Sequence, residues 1–138
     1  MTDLQKYTAA QIARIEDVGE AILVKSVADA AEIFYAAQGD WDKAQQAKEI
    51  SMRSALQAGW LYDQAPEQRG RIQAEAARIS TAKQQILEQA EEAGIAERTM
   101  KDWARYSRAM DRLDAYIADR GVEHFREWTF ADFARWAF

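Results

Sequence analysis

The chain has 138 residues, of which 28 are alanine, one is proline, six are glycine and none is cysteine; its formal net charge is −5, from 18 basic and 23 acidic side chains. That length leaves room for one domain or two very small ones, and the absence of cysteine excludes disulfides, thiolate nucleophiles and cysteine-held zinc or iron–sulfur sites. No apolar run nears the ~20 residues needed to cross a bilayer, the N-terminus lacks the basic-then-apolar pattern of a secretion signal, and sustained polar/apolar alternation is missing, so an all-α cytoplasmic protein without a membrane span is expected.

In chain order, Thr8 can cap a first helix whose apolar line is Ile12, Ile15, Val18 and Ile22, three or four residues apart. Ser26 is expected to start a second helix, with Asp29 in its first turn, one face made of Val27, Ala30, Ala31, Phe34 and Ala37, and Gly39 as its stop. Asp40 is a good cap for a third helix, which should run to about Asp63, ahead of Pro66, on a stripe of Trp41, Ala44, Ala47, Lys48, Ile50, Ala55, Ala58 and Leu61. Arg69, Gly70 and Arg71 form the only obvious linker, so an N-terminal helical region over 1–65 and a second region over 71–138 are expected. Residues 71–79 can make a short helix, and Thr81 with Gln84 has the spacing of a capping box opening a helix that Gly94 ends. A further helix is expected from near Glu97 to about Asp119, with Met100, Trp103, Ala104, Leu113 and Ile117 inward, and Gly121 breaks it. A turn at Val122–Arg126 and a last helix capped by Thr129 complete the chain.

The most specific pattern lies across 86–103. Two helices that cross closely need a small residue in the first, supplied by Ala90. Four residues on, a sharp corner needs a left-handed backbone conformation, which Gly94 can adopt. Ile95 can plug the corner, and Met100 and Trp103 fall on the inner side of the second helix. This segment resembles the helix-turn-helix of phage repressors and related regulators. The resemblance implies that Glu97, Arg98, Lys101, Asp102 and Arg105 face the major groove, with Arg98 and Lys101 as readers of base edges. Arg105, Arg108 and Arg112 would continue toward phosphates, and Arg78, Thr81 and Lys83 would grip backbone oxygens beside the first helix. Residues 97–112 hold five basic and three acidic side chains, whereas 1–40 hold three and seven, so the acidity is concentrated away from this helix.

A second pattern is AKEISMRSALQAGWL at 47–61, with Ala47, Glu49, Ile50, Arg53, Gly59 and Leu61 in the form A-x-E-I-x-x-R-A followed by G-x-L; Ser54 stands where that form has Ala. It resembles small phage- and plasmid-encoded helical proteins in which a helical region precedes a helix-turn-helix-like segment. The likeness implies a mobile-element origin more than a mechanism.

Other chemistry has little support. His124 is the only histidine, and one imidazole among Glu123 and Glu127 makes a weak metal site. The serines lack a histidine–carboxylate partnership, and the glycines are scattered singly rather than in a phosphate-cradling loop. No cofactor, metal or enzymatic activity is therefore expected. The aromatics Phe125, Trp128, Phe130, Phe133, Trp136 and Phe138 are expected to pack as core against the helix from Glu97, with an oligomer interface as the next reading.

These readings converge on a sequence-specific double-stranded DNA-binding protein that regulates transcription in a phage or plasmid, acting as a homodimer because one short recognition helix covers little of a DNA site. The alternative is an inhibitor or adaptor from a mobile element whose acidic N-terminal third docks on a basic, nucleic-acid-binding surface of a host protein and blocks it. The overall acidic balance and Ala96, where Ser or Thr would cap the second helix, favour it, and the acids Glu88, Glu91 and Glu92 on the first helix count against DNA reading.

Overall fold

In the computed structural model, residues 4–66 and 82–138 are described. They form seven α-helices: α1 (Ala9–Ala13), α2 (Val18–Ala37), α3 (Trp41–Gln64), α4 (Ala82–Glu92), α5 (Glu97–Ser107), α6 (Leu113–Arg120) and α7 (Phe130–Ala137). Short 3-10 segments occupy Leu4–Lys6, Met110–Arg112 and Val122–Glu127, and no strand occurs among the described residues, so the fold is all-α. Arg78, Thr81, the linker Arg69–Arg71, the capping box from Thr81 and the short helix expected over 71–79 lie outside the described residues.

Local signals account for several helix ends. The Gln11 N–H donates to Thr8 Oγ1 while the Gln11 side chain accepts from the Thr8 N–H, a complete capping box. Asp17 and Asp40 cap α2 and α3 by accepting from the backbone N–H of Glu20 and Lys43. Thr129 caps α7 by accepting from the Asp132 N–H at 3.0 Å. Gly39 and Gly121 end their helices with φ of 73° and 89°, a region side chains rarely adopt.

α3 is the central rod, touched by α1, α2, α4 and α5 and by the Val122–Glu127 segment. Ala44, Ala47, Ala55 and Ala58 are fully buried along it, and such small side chains let neighbouring helices approach closely. Gly59 marks the tightest approach: a Cβ there would lie 2.5 Å from Ala104 N and closer still to the Trp103 carbonyl. The buried residues of the N-terminal helices and of the segment from Ala90 onward belong to one cluster. The residues of the A-x-E-I-x-x-R-A pattern act in this packing. Glu49 accepts from Arg53 at 2.8 Å, Arg53 also bonds Asp114 in α6, and the hydroxyl of buried Ser54 donates to Ile50 O at 2.7 Å.

Four expectations are corrected. Ser26 does not start a helix. The chain instead turns over Arg14–Asp17 and α2 begins at Val18, so the line Ile12, Ile15, Val18 and Ile22 is buried but spans two helices. The inward face of α2 is Ala21, Val24, Ala28, Ala31 and Tyr35, while Ala30, Phe34 and Ala37 face outward. This helix is apolar around most of its circumference, so periodicity could not select a face. Trp41, placed in the inward stripe of α3 by its spacing, is half-exposed in the first turn of that helix. The helix from Glu97 ends at Ser107 rather than near Asp119. An unbroken helix would carry the inward line Met100, Trp103, Ala104, Ser107 on to Asp111. The break at 108–112 resets the phase so that Leu113, Tyr116 and Ile117 point inward instead.

Of the C-terminal aromatics expected as core, Phe125, Trp128 and Phe133 are buried and Phe130 and Trp136 pack partly against them, whereas Phe138, at the end of the last helix, is exposed. Phe133 is fully buried and meets Tyr116 edge-on at 5.3 Å, Trp136 meets the same ring at 5.6 Å, and Phe130 stacks on Tyr106 at 6.0 Å. Tyr116 Oη donates to Asp132 at 2.7 Å, and Arg120 Nε donates to the same carboxylate at 2.9 Å.

Candidate nucleic-acid interface

The corner between α4 and α5 has the geometry its residues require. Gly94 has a φ of 83°, its N–H donates to Glu91 O, and the Ile95 N–H donates to Ala90 O, each at 2.9 Å. These bonds satisfy two carbonyls at the end of α4 in a left-handed C-terminal cap. Behind the corner Ala90 and Met100 are fully buried, Trp103 is nearly so, and Ile95 is half-buried as a plug. Ala96 stands at the N-cap of α5 in an extended conformation with no side-chain hydrogen bond, so the first N–H groups of α5 are left without a side-chain acceptor there.

Because Met100, Trp103, Ala104 and Ser107 press inward against α3, the opposite flank of α5 is open. Glu97, Arg98, Lys101 and Arg105 are exposed, and Asp102 is half-exposed beside them. Two of these cations have partners on the same helix: Lys101 lies 3.5 Å from Glu97 and Arg105 lies 3.7 Å from Asp102. Arg105 also donates to Tyr106 Oη and lies over its ring. Arg98 has no ion pair among the described residues.

The outer cations are placed differently. Arg108 makes a two-pronged bond to Asp63 at the end of α3, at 2.9 and 3.4 Å, and the arginine holds that carboxyl below its ordinary pKa. Arg112 donates to Ala137 O at 2.6 Å and lies over the Trp136 ring, so it is turned to α7. Lys83 Nζ reaches Asp63 O at 3.4 Å and sits over Tyr62. Arg98, Lys101 and Arg105 thus share one open flank, while Lys83 and Arg108 converge on the C-terminal end of α3 through Asp63.

No family model, curated protein or solved structure matches this chain. The reading of the site therefore rests on its own geometry.

Sequence reasoning missed two parts of that geometry. In the sequence Asp63 marks only a helix end, and its pairing with Arg108 comes from a crossing between helices 45 residues apart. An acidic groove of about 360 Å³ lies beside the flank, bounded by Leu87, Glu88 and Glu91 of α4 with Ala96 and Glu97 of α5. The acids are visible one by one in the sequence, but their convergence needs the corner. His124 is exposed beside Glu123 at 3.7 Å, and no group of three or more potential metal ligands occurs among the described residues. No helix among them is long and apolar enough to cross a membrane.

Proposed function

We propose that the protein is a sequence-specific binder of double-stranded DNA, a transcriptional regulator of a phage or plasmid that acts as a homodimer and reads the major groove with α5. One observation carries the reading: the cationic flank of α5 stands open directly beyond a glycine corner and is braced from behind by α3 at Gly59. A rod held rigidly at its back and uncovered at its front is the arrangement that groove insertion needs. The ion pairs on the flank do not prevent this. Pairs between exposed side chains at 3.5 to 3.7 Å contribute little stability, so a phosphate or a guanine edge can displace Glu97 or Asp102. The residues with direct roles are Arg98 and Lys101 at bases and Arg105 at phosphate, with Lys83 and Arg108 within reach of the backbone once Asp63 releases them.

The acidic groove favours a second reading, in which Glu88, Glu91 and Glu97 with Leu87 receive a basic surface of a host protein. Fluorescence anisotropy with a random duplex pool across a salt series separates the two. DNA reading requires measurable affinity at low salt, falling with a log–log slope of about −1 per phosphate-bound cation, and enrichment of a shared sequence on repeated selection. Absence of affinity at low salt would remove the DNA reading and leave the adaptor.

A further inference from the structure

α2 has two apolar sides, and only one is used inside the molecule. The outward side carries Leu23, Ala30, Ile33, Phe34 and Ala37, with Leu23 at 62% and Ile33 at 74% exposure, and Val27 lies at its edge, half-buried against the core. With Ser26 these positions fall within about a third of the helix circumference, and no charged side chain interrupts that face between Leu23 and Ala37. The charges of this stretch lie elsewhere on the helix: Lys25 pairs with Asp29 at 2.7 Å, Asp29 also accepts from Ser51 of α3, and Glu32 is half-buried.

We propose that this face pairs with the same face of a second copy of the chain, the two α2 helices running antiparallel about a two-fold axis at Ala30. A two-fold interface must be complementary to itself, and the order of side-chain sizes here is. An axis at residue 30 sets Leu23 against Ala37, Phe34 against Ser26 and Ile33 against Val27. Each large side chain meets a smaller one, and Ala30 at the crossing lets the backbones come close. A parallel pair would set Leu23 on Leu23, Phe34 on Phe34 and Glu20 on Glu20. The antiparallel pair separates the two Glu20 carboxylates and opposes the helix dipoles.

The strip is roughly 21 Å long and about 10 Å wide, less than the ~800 Å² per partner of a standard stable interface, so the pair is weak and concentration-dependent. The strip names what joins two α5 helices. For that use it rests on the DNA reading, but the pairing itself is measured without DNA, so the two can fail separately.

Sedimentation equilibrium over a concentration series tests the pairing, and the absence of cysteine makes single-cysteine variants clean reporters. Wild-type protein should shift from monomer to dimer, and Ala30→Arg should remain monomeric with unchanged helicity, since residue 30 is exposed. Under mild oxidation Ala30→Cys should link to itself and Leu23→Cys should not, whereas a mixture of Leu23→Cys and Ala37→Cys should cross-link. A wild type that stays monomeric throughout, a dimer that survives Ala30→Arg, or Leu23→Cys linking to itself as readily as Ala30→Cys would overturn the proposal.

Discussion

Gly59 of α3 lies directly against the backbone of Trp103 and Ala104 in α5. No side chain fits between the two helices at this point, so the rod that carries the candidate DNA-reading flank is seated on the central rod of the fold. Gly59→Ala should therefore act as overpacking and cost about 1–3 kcal/mol. Gly94→Ala should be costly for a different reason: the space around it is open, but a Cβ at a φ of 83° is strained, by about 1–2 kcal/mol. Thermal melts of both variants check this. Gly94→Asn should recover part of the loss because Asn tolerates left-handed backbone, and Gly59→Asn should be worse than Gly59→Ala.

The double variant Arg98→Ala, Lys101→Ala should leave the melting temperature nearly unchanged, since both side chains are exposed. It should erase the preference for a selected duplex over a random one, at about 1–3 kcal/mol of discrimination for each bidentate bond to a base that the variant removes. Retained preference, measured by competition anisotropy, would move base reading away from α5.

Asp63 holds Arg108 at 2.9 Å, so under the proposed DNA reading it would compete with phosphate for that guanidinium. Asp63→Asn should release the guanidinium, raise affinity for random duplex and steepen the salt slope by about one unit. An unchanged slope would show that Arg108 stays out of reach of the backbone.

The carboxyl of Asp132 is held at about 2 by hydrogen bonds from Arg120 and then Tyr116. A depressed folded pKa stabilises above the unfolded value and is lost on acidification, so this contribution should be complete above about pH 4 and fade toward pH 2. The melting difference between wild type and Asp132→Asn should close over that window. Burial and the bond to Asp132 push the Tyr116 phenol up to about 12. Its contribution is present below about pH 10 and declines as the pH rises through 12. Absorbance titration should show a tyrosine ionisation near pH 12, and Tyr116→Phe should remove that step.

The aromatic closing helix has an inside and an outside. Phe133 is fully buried and Phe138 is 67% exposed, so Phe133→Ala should cost about 3–5 kcal/mol and Phe138→Ala close to nothing by denaturant titration. Trp128→Phe should cost less than Phe133→Ala, because the buried indole N–H of Trp128 has no acceptor among the described residues and its deletion relieves an unmet donor.

Several helix ends and the corner were legible in the residues alone, although the start of α2 at its Asp17 cap was not. Thr8, Asp40 and Thr129 cap where their side chains can reach a backbone N–H three residues on, and Gly39, Gly94 and Gly121 turn where only glycine is at ease with positive φ. These are local events, completed within one turn of helix, and local sequence suffices for them. The choice between the two sides of α2, the break of the helix at Ser107, the seating of Gly59 on Trp103 and the capture of Arg108 by Asp63 were not legible in this way. Each depends on which rod lies alongside which, and an alanine-rich helix with apolar groups on several sides offers more than one face to its neighbours. The interactions that settle the matter join residues tens of positions apart, so they exist only once all the rods have been packed together.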